Sequence, residues 1–208
     1  MLQWISDNSE VLNLVANWAM VLIWIVYLQV FLLSFRRQTL PKIVINRAAG
    51  STLDAACFVS NMSSDAIYIE SVLVEIGAGD DTLGCTITDF EFFDGEKGSD
   101  DPKLRTYQGT LGPSQYTSLG KFEDLIASVA RRTGHDVENL KSAGGPITVE
   151  ITIIADYASE DQLIGARRKF RATWEGDHWK LIAETTETQQ IRSPRERKRI
   201  SELIAADE

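Results

Sequence analysis

Two cysteines and two histidines are all that this chain offers as sulfur or imidazole ligands. Cys57 and Cys85 cannot complete a four-ligand zinc site alone, and His135 and His178 stand in no ligand-like spacing. Each histidine is therefore expected on the surface or in a loop. In an oxidising compartment the two thiols would suggest a disulfide between neighbouring strands. In the cytoplasm they are expected as reduced core residues. Basic residues are missing from the whole stretch before Arg36. That removes the basic start of a cleavable signal peptide, and Ser34-Phe35-Arg36 is a poor cleavage site. Over the full chain, 21 Lys and Arg stand against 30 Asp and Glu, a net charge of −9 that excludes a simple basic nucleic-acid binder.

Recognisable chemistry is scarce as well. No serine, threonine or cysteine has a base partner that the sequence identifies, and nucleophilic catalysis needs one. The segments Gly109-Thr110-Leu111-Gly112 and Gly120-Lys121 lack the spacing of a phosphate loop, and Phe122 stands where the hydroxyl residue belongs. Asp94, Glu96, Asp100 and Asp101, with Gly95 and Gly98 between them, form an oxygen-rich loop without EF-hand spacing, to which Asp80 and Asp81 add charge but no geometry. A solvated acidic loop is expected there. The reading is of a protein that is not an enzyme, with no catalytic, cofactor-binding or metal-binding residues.

What the chain does have is an uncharged run from Val11 to Phe35. Those 25 residues make about 37 Å of helix, against a hydrocarbon core of roughly 30 Å. Fifteen of them are Leu, Ile, Val or Phe, each favourable by about 0.3–0.6 kcal/mol near a membrane helix centre. Asn13, Asn17, Gln29 and Ser34 oppose that total without cancelling it. Apolar residues occur all round, whereas a core helix of a soluble protein keeps one polar face. The run is therefore expected to be a single transmembrane helix, residues 11–35, after an extracytoplasmic leader of residues 1–10. Asp7 and Glu10 precede it, while Arg36, Arg37, Lys42 and Arg47 follow. Positive flanks stay on the cytoplasmic side, so the N-terminus is expected outside and residues 36–208 inside, at the plasma or inner membrane.

Residues 36–183 read as one cytoplasmic, mainly β domain. Lys42–Asn46, Leu53–Ser60, Ala66–Gly77, Gly84–Phe93, Ser114–Leu119, Ile147–Ile153, Ile164–Trp174 and His178–Ala183 are candidate strands. Ala66–Gly77 is apolar on both parities, as a strand buried on both faces would be, and a bulge is expected near Asp89. Phe122, Leu125, Ile126 and Val129 make a helical stripe, and a second short helix is expected over Val137–Lys141. The strands suggest an antiparallel β-sandwich, Ig-like in the broad sense, although no Trp lies between the cysteines. Residues 184–192 read as a polar linker. Ser193-Pro194-Arg195-Glu196 then reads as the start of a short C-terminal helix.

Three groups are candidate contact residues. Arg167, Lys169 and Arg171 alternate on one strand face as an anion or partner surface, or else pair with Glu150 across the hairpin. Arg195, Arg197, Lys198 and Arg199 sit at the start of the last helix, where the dipole disfavours cations; anionic lipid headgroups would give them a reason. Asn13 and Asn17 on one helix face and Gln29 on another are candidates for a helix–helix seam. The function expected is a membrane-anchored module for protein interaction, sensing or service as an accessory subunit. The alternative is a homo-oligomeric pore or membrane effector assembled through the transmembrane helix. The bilayer, a protein partner and further copies of the chain are the expected partners.

Overall fold

The structure is a computed structural model. It describes residues 8–38, 40–79, 81–88, 106–138, 145–157, 160–193, 195–196 and 198. The chain divides into two compact units, Met1–Leu40 and Pro41–Glu208.

The first unit holds helix α1 (Ser9–Gln38). Its apolar part, Ser9–Phe35, has a mean hydropathy of 2.2 and is exposed along its whole length. With apolar residues on every side it has no preferred inward face, so it buries nothing within its own chain. Its length and composition fit a membrane anchor or a signal sequence.

The second unit is mainly β, with two antiparallel sheets. Its strands are β1 (Ile43–Ala48), β2 (Ala56–Asn61), β3 (Ile67–Ala78), β4 (Asp81–Ile87), β5 (Gly109–Leu111) and β6 (Tyr116–Lys121). After helix α2 (Phe122–Arg132) come β7 (Ile147–Tyr157), β8 (Glu160–Trp174), β9 (Trp179–Ala183) and β10 (Gln189–Ile191). The smaller sheet has the order β1-β2-β6; the larger runs β10-β8-β7-β3-β4, with β5 on β3 and β9 on β8. Both sheets and α2 contribute to one hydrophobic core, including Ile45, Cys57, Val59, Val72, Val74, Leu125, Val149, Ile151, Phe170 and Leu181.

Helix α2 forms where the stripe predicts it, and Phe122, Leu125, Ile126 and Val129 are all buried. Glu123 and Asp124 open it and Arg131 and Arg132 close it, each matching the end of the dipole it faces. No side chain caps its start. Instead the amides of Phe122 and Glu123 donate to the carbonyls of Ala55 (3.1 Å) and Leu53 (2.9 Å), tying the helix to the turn before β2. At its end Gly134 takes φ +73°. There the Gly134 and His135 amides donate back to Arg131 and Ala130 in a Schellman pattern. Phe122 and Phe170 meet edge to face at 4.8 Å in the middle of the core, which adds about 0.5–1.5 kcal/mol to their burial.

Several expectations change. β3 is apolar on both parities because the register shifts between Ile69 and Ser71, not because both faces are buried. Ile67 and Ile69 before the bulge and Val72, Val74 and Ile76 after it all reach the core. The stretch 184–192, expected as a linker, ends in β10, which pairs with β8 from Gln189↔Arg167 to Ile191↔Gly165. β10 forms because Ile191 is buried and because the neighbouring polar side chains serve the edge of β1. The Gln190 amide accepts from the Ile43 N–H (3.0 Å) and donates to the Ile43 carbonyl (2.6 Å). Thr188 Oγ1 does the same for Ile45 at 3.0 and 3.1 Å. Two side chains thus replace a missing neighbour strand and close an edge open to aggregation.

Among the described residues no C-terminal helix is delimited, although Arg195, Glu196 and Lys198 have helical backbone. Of its expected residues only Ser193, Arg195, Glu196 and Lys198 are described. The acidic loop 94–101, the bulge at Asp89 and most of the second short helix also lie outside the described residues.

Candidate interaction site

The cations of β8 lie where the alternation places them, and carboxylates meet each one. Arg167 Nε is 3.8 Å from Glu150 and Lys169 Nζ is 4.0 Å from the same carboxylate. Arg167 also reaches Glu196 at 3.5 Å, and Arg171 holds Glu184 at 2.5 Å. Three cations thus face three carboxylates, so the row presents no net positive field. Such half-exposed pairs contribute about 0–1 kcal/mol each. The arrangement joins β7, β8 and the C-terminal segment and leaves little attraction for an anion.

Beside this row, Glu150, Arg167, Arg168, Lys169, Thr185 and Gln189 line a cleft of about 270 Å³. Arg168 interrupts the apolar face of β8, and the fold uses it as a bracket between sheets. Its Nη1 donates to the Ile45 carbonyl (2.7 Å) and Asn46 Oδ1 (3.2 Å) of β1. Its Nη2 donates to the carbonyls of Thr185 and Thr186, each at 3.3 Å. The guanidinium lies 5.5 Å from the centre of the Phe170 ring. Only Nε is buried without a partner. Burial lowers the Arg168 pKa and the nearby Arg47 charge adds to that shift, yet a guanidinium stays charged at any physiological pH. The cleft is the mouth of a structural clamp.

Asn61 does comparable work at the other end of β1 and β2. Fully buried, its Nδ2 donates to the carbonyls of Asp65 (2.9 Å), Leu111 (2.9 Å) and Gly112 (3.2 Å). Its Oδ1 accepts from the Ser63 amide at 2.9 Å. Read from sequence as one residue of a turn, it ties the turn at Ser63–Asp65 to the loop at Leu111–Gly112.

The cysteines belong to different sheets, Cys57 to β2 and Cys85 to β4, and both are thiols. Burial pushes the Cys57 pKa well above the ordinary thiol range, which suppresses the thiolate that reagents attack. Cys85 is half-buried. An aromatic disulfide reagent on the native protein at neutral pH should therefore titrate Cys85 first and reach Cys57 only on unfolding. Equal modification of both in the native state would contradict the burial.

The tip of the β8–β9 hairpin was not singled out by the sequence. There Trp174 and Trp179 pair edge to face at 5.7 Å. Trp179 packs partly on the core, whereas Trp174 is 55% exposed. Gly176, at φ +90°, lets the chain turn tightly between them, and the Glu175 amide donates to the His178 carbonyl at 2.9 Å. Lys180 meets Glu175 at 2.8 Å and His178 meets Asp177 at 2.6 Å. The hydrogen bond from His178, and then its charge, hold the Asp177 carboxyl below its ordinary value. An exposed indole within a ring of small ion pairs is the composition of a binding hot spot. A Trp–x4–Trp spacing around Gly-Asp was the signal available in the sequence.

Of the remaining candidates, Asn13 and Asn17 lie one turn apart on α1, and Gln29 falls about 120° round the helix from Asn17. Arg195 and Lys198 are exposed; Arg197 and Arg199 lie outside the described residues. Among the described residues no three His, Cys, Asp or Glu side chains are placed to hold a metal ion. Comparison with protein-family models, with curated proteins and with solved structures gives no match for this chain.

Proposed function

We propose that this chain is a single-pass membrane protein whose cytoplasmic β-sandwich, Ig-like in the broad sense, binds a protein partner as a scaffold, sensor or accessory subunit. The observation that carries this reading is the pairing of a fully exposed apolar helix with a separate β domain that presents Trp174 at a hairpin tip. The basic residues Arg36, Arg37 and Lys42 just after the apolar run support an outside N-terminus and a cytoplasmic domain. Trp174 is the anchor residue we assign to the partner, because a large exposed indole on a rigid hairpin gives much contact area for little lost freedom.

A photo-crosslinking residue at position 174, in cells, should trap one discrete higher-mass adduct, and one at exposed Glu187 should not. Trp174→Ala should weaken capture of that adduct's partner by about 30-fold, a hot-spot loss of roughly 2 kcal/mol. Equal crosslinking at both positions, or none at 174, would reject the assignment.

The second reading is a homo-oligomer assembled through α1. Asn13, Asn17 and Gln29 favour it, since amides in hydrocarbon seek partners across helices. It would appear as a ladder of self-adducts with crosslinkers in α1 and none at position 174.

A further inference from the structure

The outer face of the larger sheet is buried along a row that lies away from the core. Ser71, Ile154, Gly165 and Ile191 are register partners across β3, β7, β8 and β10. Their strand neighbours Val72, Ile153, Ala155, Ile164 and Ala166 point the other way and belong to the core. Yet Ser71 keeps 3% exposure, Ile154 2% and Ile191 3%, and Thr152 on the same face keeps 4%. Ile154 and Ile191 stand outside the core cluster. A Cβ on Gly165 would meet Ile191 side-chain atoms at 3.2 and 3.3 Å, so Ile191 lies close over that glycine. It does not also reach Ser71, two strands further on at about 4.8 Å each. Ser71 Oγ is buried with no hydrogen-bond partner, as under an apolar cover.

The chain itself leaves β10 at the edge of this row. Glu196 is half-buried and reaches Arg167 at 3.5 Å, whereas Arg195 and Lys198 are exposed. Arg167 belongs to the next row of the same face, paired with Thr152 and Gln189. Five residues after Ile191 the chain therefore already lies over β8, one strand in from the edge. Twelve residues follow Glu196. As helix they would span about 18 Å, and β3 is two strands further, about 10 Å.

We infer that residues 197–208 continue across this face as a strap that seats Ile200 and Leu203 on Thr152, Ile154 and Leu73. Arg195, Glu196 and Lys198 supply the helical backbone that sets the phase. At about 100° per residue, Ile200 and Leu203 fall within about 40° of Glu196, whose side chain faces the sheet, and Ile204 within about 80°. Arg195 and Lys198 fall at least about 100° away, which matches their exposure. Leu73 pairs with Thr152 and completes the apolar seat. The strap closes the outer face of the sheet to other proteins and turns its basic side chains to solvent.

Thiol labelling of the full chain in mild detergent tests this in the variant Thr152→Cys. Peptide mass spectrometry follows the introduced thiol, Cys57 and Cys85 separately. The introduced thiol should label slowly. Adding Ile200→Glu with Leu203→Glu should speed that labelling at least about tenfold, because the closed form loses two buried apolar side chains. Ser201→Glu with Ala205→Glu puts the same charges on the opposite side and should leave the rate unchanged. Cys57 should stay protected throughout, which separates uncovering from unfolding. A photo-crosslinker at Leu203, with Thr152 intact, should form an adduct within one chain, to β7 or β3. That adduct decides the matter alone if Cys57 becomes reactive. A labelling rate that Ile200→Glu with Leu203→Glu leaves unaltered means that another segment covers the row, and it overturns the strap. A crosslink at Leu203 that joins two chains, or that misses the sheet, overturns it as well.

Discussion

Aspartate at both Ile23 and Val26 should convert the protein from one that pellets with membranes after alkaline carbonate into one that is released. The magnitudes decide this. The fifteen Leu, Ile, Val and Phe residues of Val11–Phe35 favour insertion by at most about 5–9 kcal/mol together. Two aspartates near the helix centre add roughly 5–7 kcal/mol against it, and their short side chains cannot reach the interface as arginine or lysine can. Nothing in the chain compensates, because Ser9–Phe35 has none of its length buried against protein. A variant that still resists carbonate would mean that α1 does not hold the chain by spanning. Asn17→Leu with Gln29→Leu is the opposite control. It should keep insertion, and it should lower self-association in mild detergent if the amides form a seam.

Much of this architecture is legible because its signals are periodic. The stripe Phe122, Leu125, Ile126, Val129 marks α2, and the alternation Ile147, Val149, Ile151, Ile153 marks the inner face of β7, all of it buried. α1 needs only hydropathy. Legibility ends where a residue's role depends on distant backbone. Arg168 spoils an apolar alternation, and its bonds to Ile45 and Thr185 lie far away in sequence. Thr188 and Gln190 look like linker residues because a polar side chain that completes another strand's edge leaves no local mark. The bulge at Glu70 makes two parities out of one buried face. Among the candidate sites, the β8 cation row was visible as a pattern. Its neutralisation was only half visible: Glu150 lies opposite in the hairpin, but Glu184 and Glu196 arrive from the segment after β9. The Trp174–Trp179 tip was visible as a turn, and its exposure follows only from what the core leaves uncovered.

Asn61→Ala should be among the most damaging single changes to the β domain outside its apolar core. The Asn61 amide has two protons for three carbonyls, at 2.9, 2.9 and 3.2 Å, so at least two carbonyls lose a direct donor. The Ser63 amide loses its acceptor as well. With each stranded buried group costing about 1–3 kcal/mol and some relief from entering water, the loss should be about 3–4 kcal/mol. For a domain of this size that is a fall in Tm of about 7–14 °C, measured by near-UV circular dichroism of the full chain in mild detergent. The damage should be local in origin: the loops at Ser63–Asp65 and Leu111–Gln115 should gain amide exchange before the strands do. Asn61→Asp keeps the shape but turns an acceptor oxygen toward three carbonyl oxygens. At neutral pH it should be no more stable than the alanine variant. If the aspartate variant instead stays within about 1 kcal/mol of the parent, shape rather than hydrogen bonding explains the burial of Asn61.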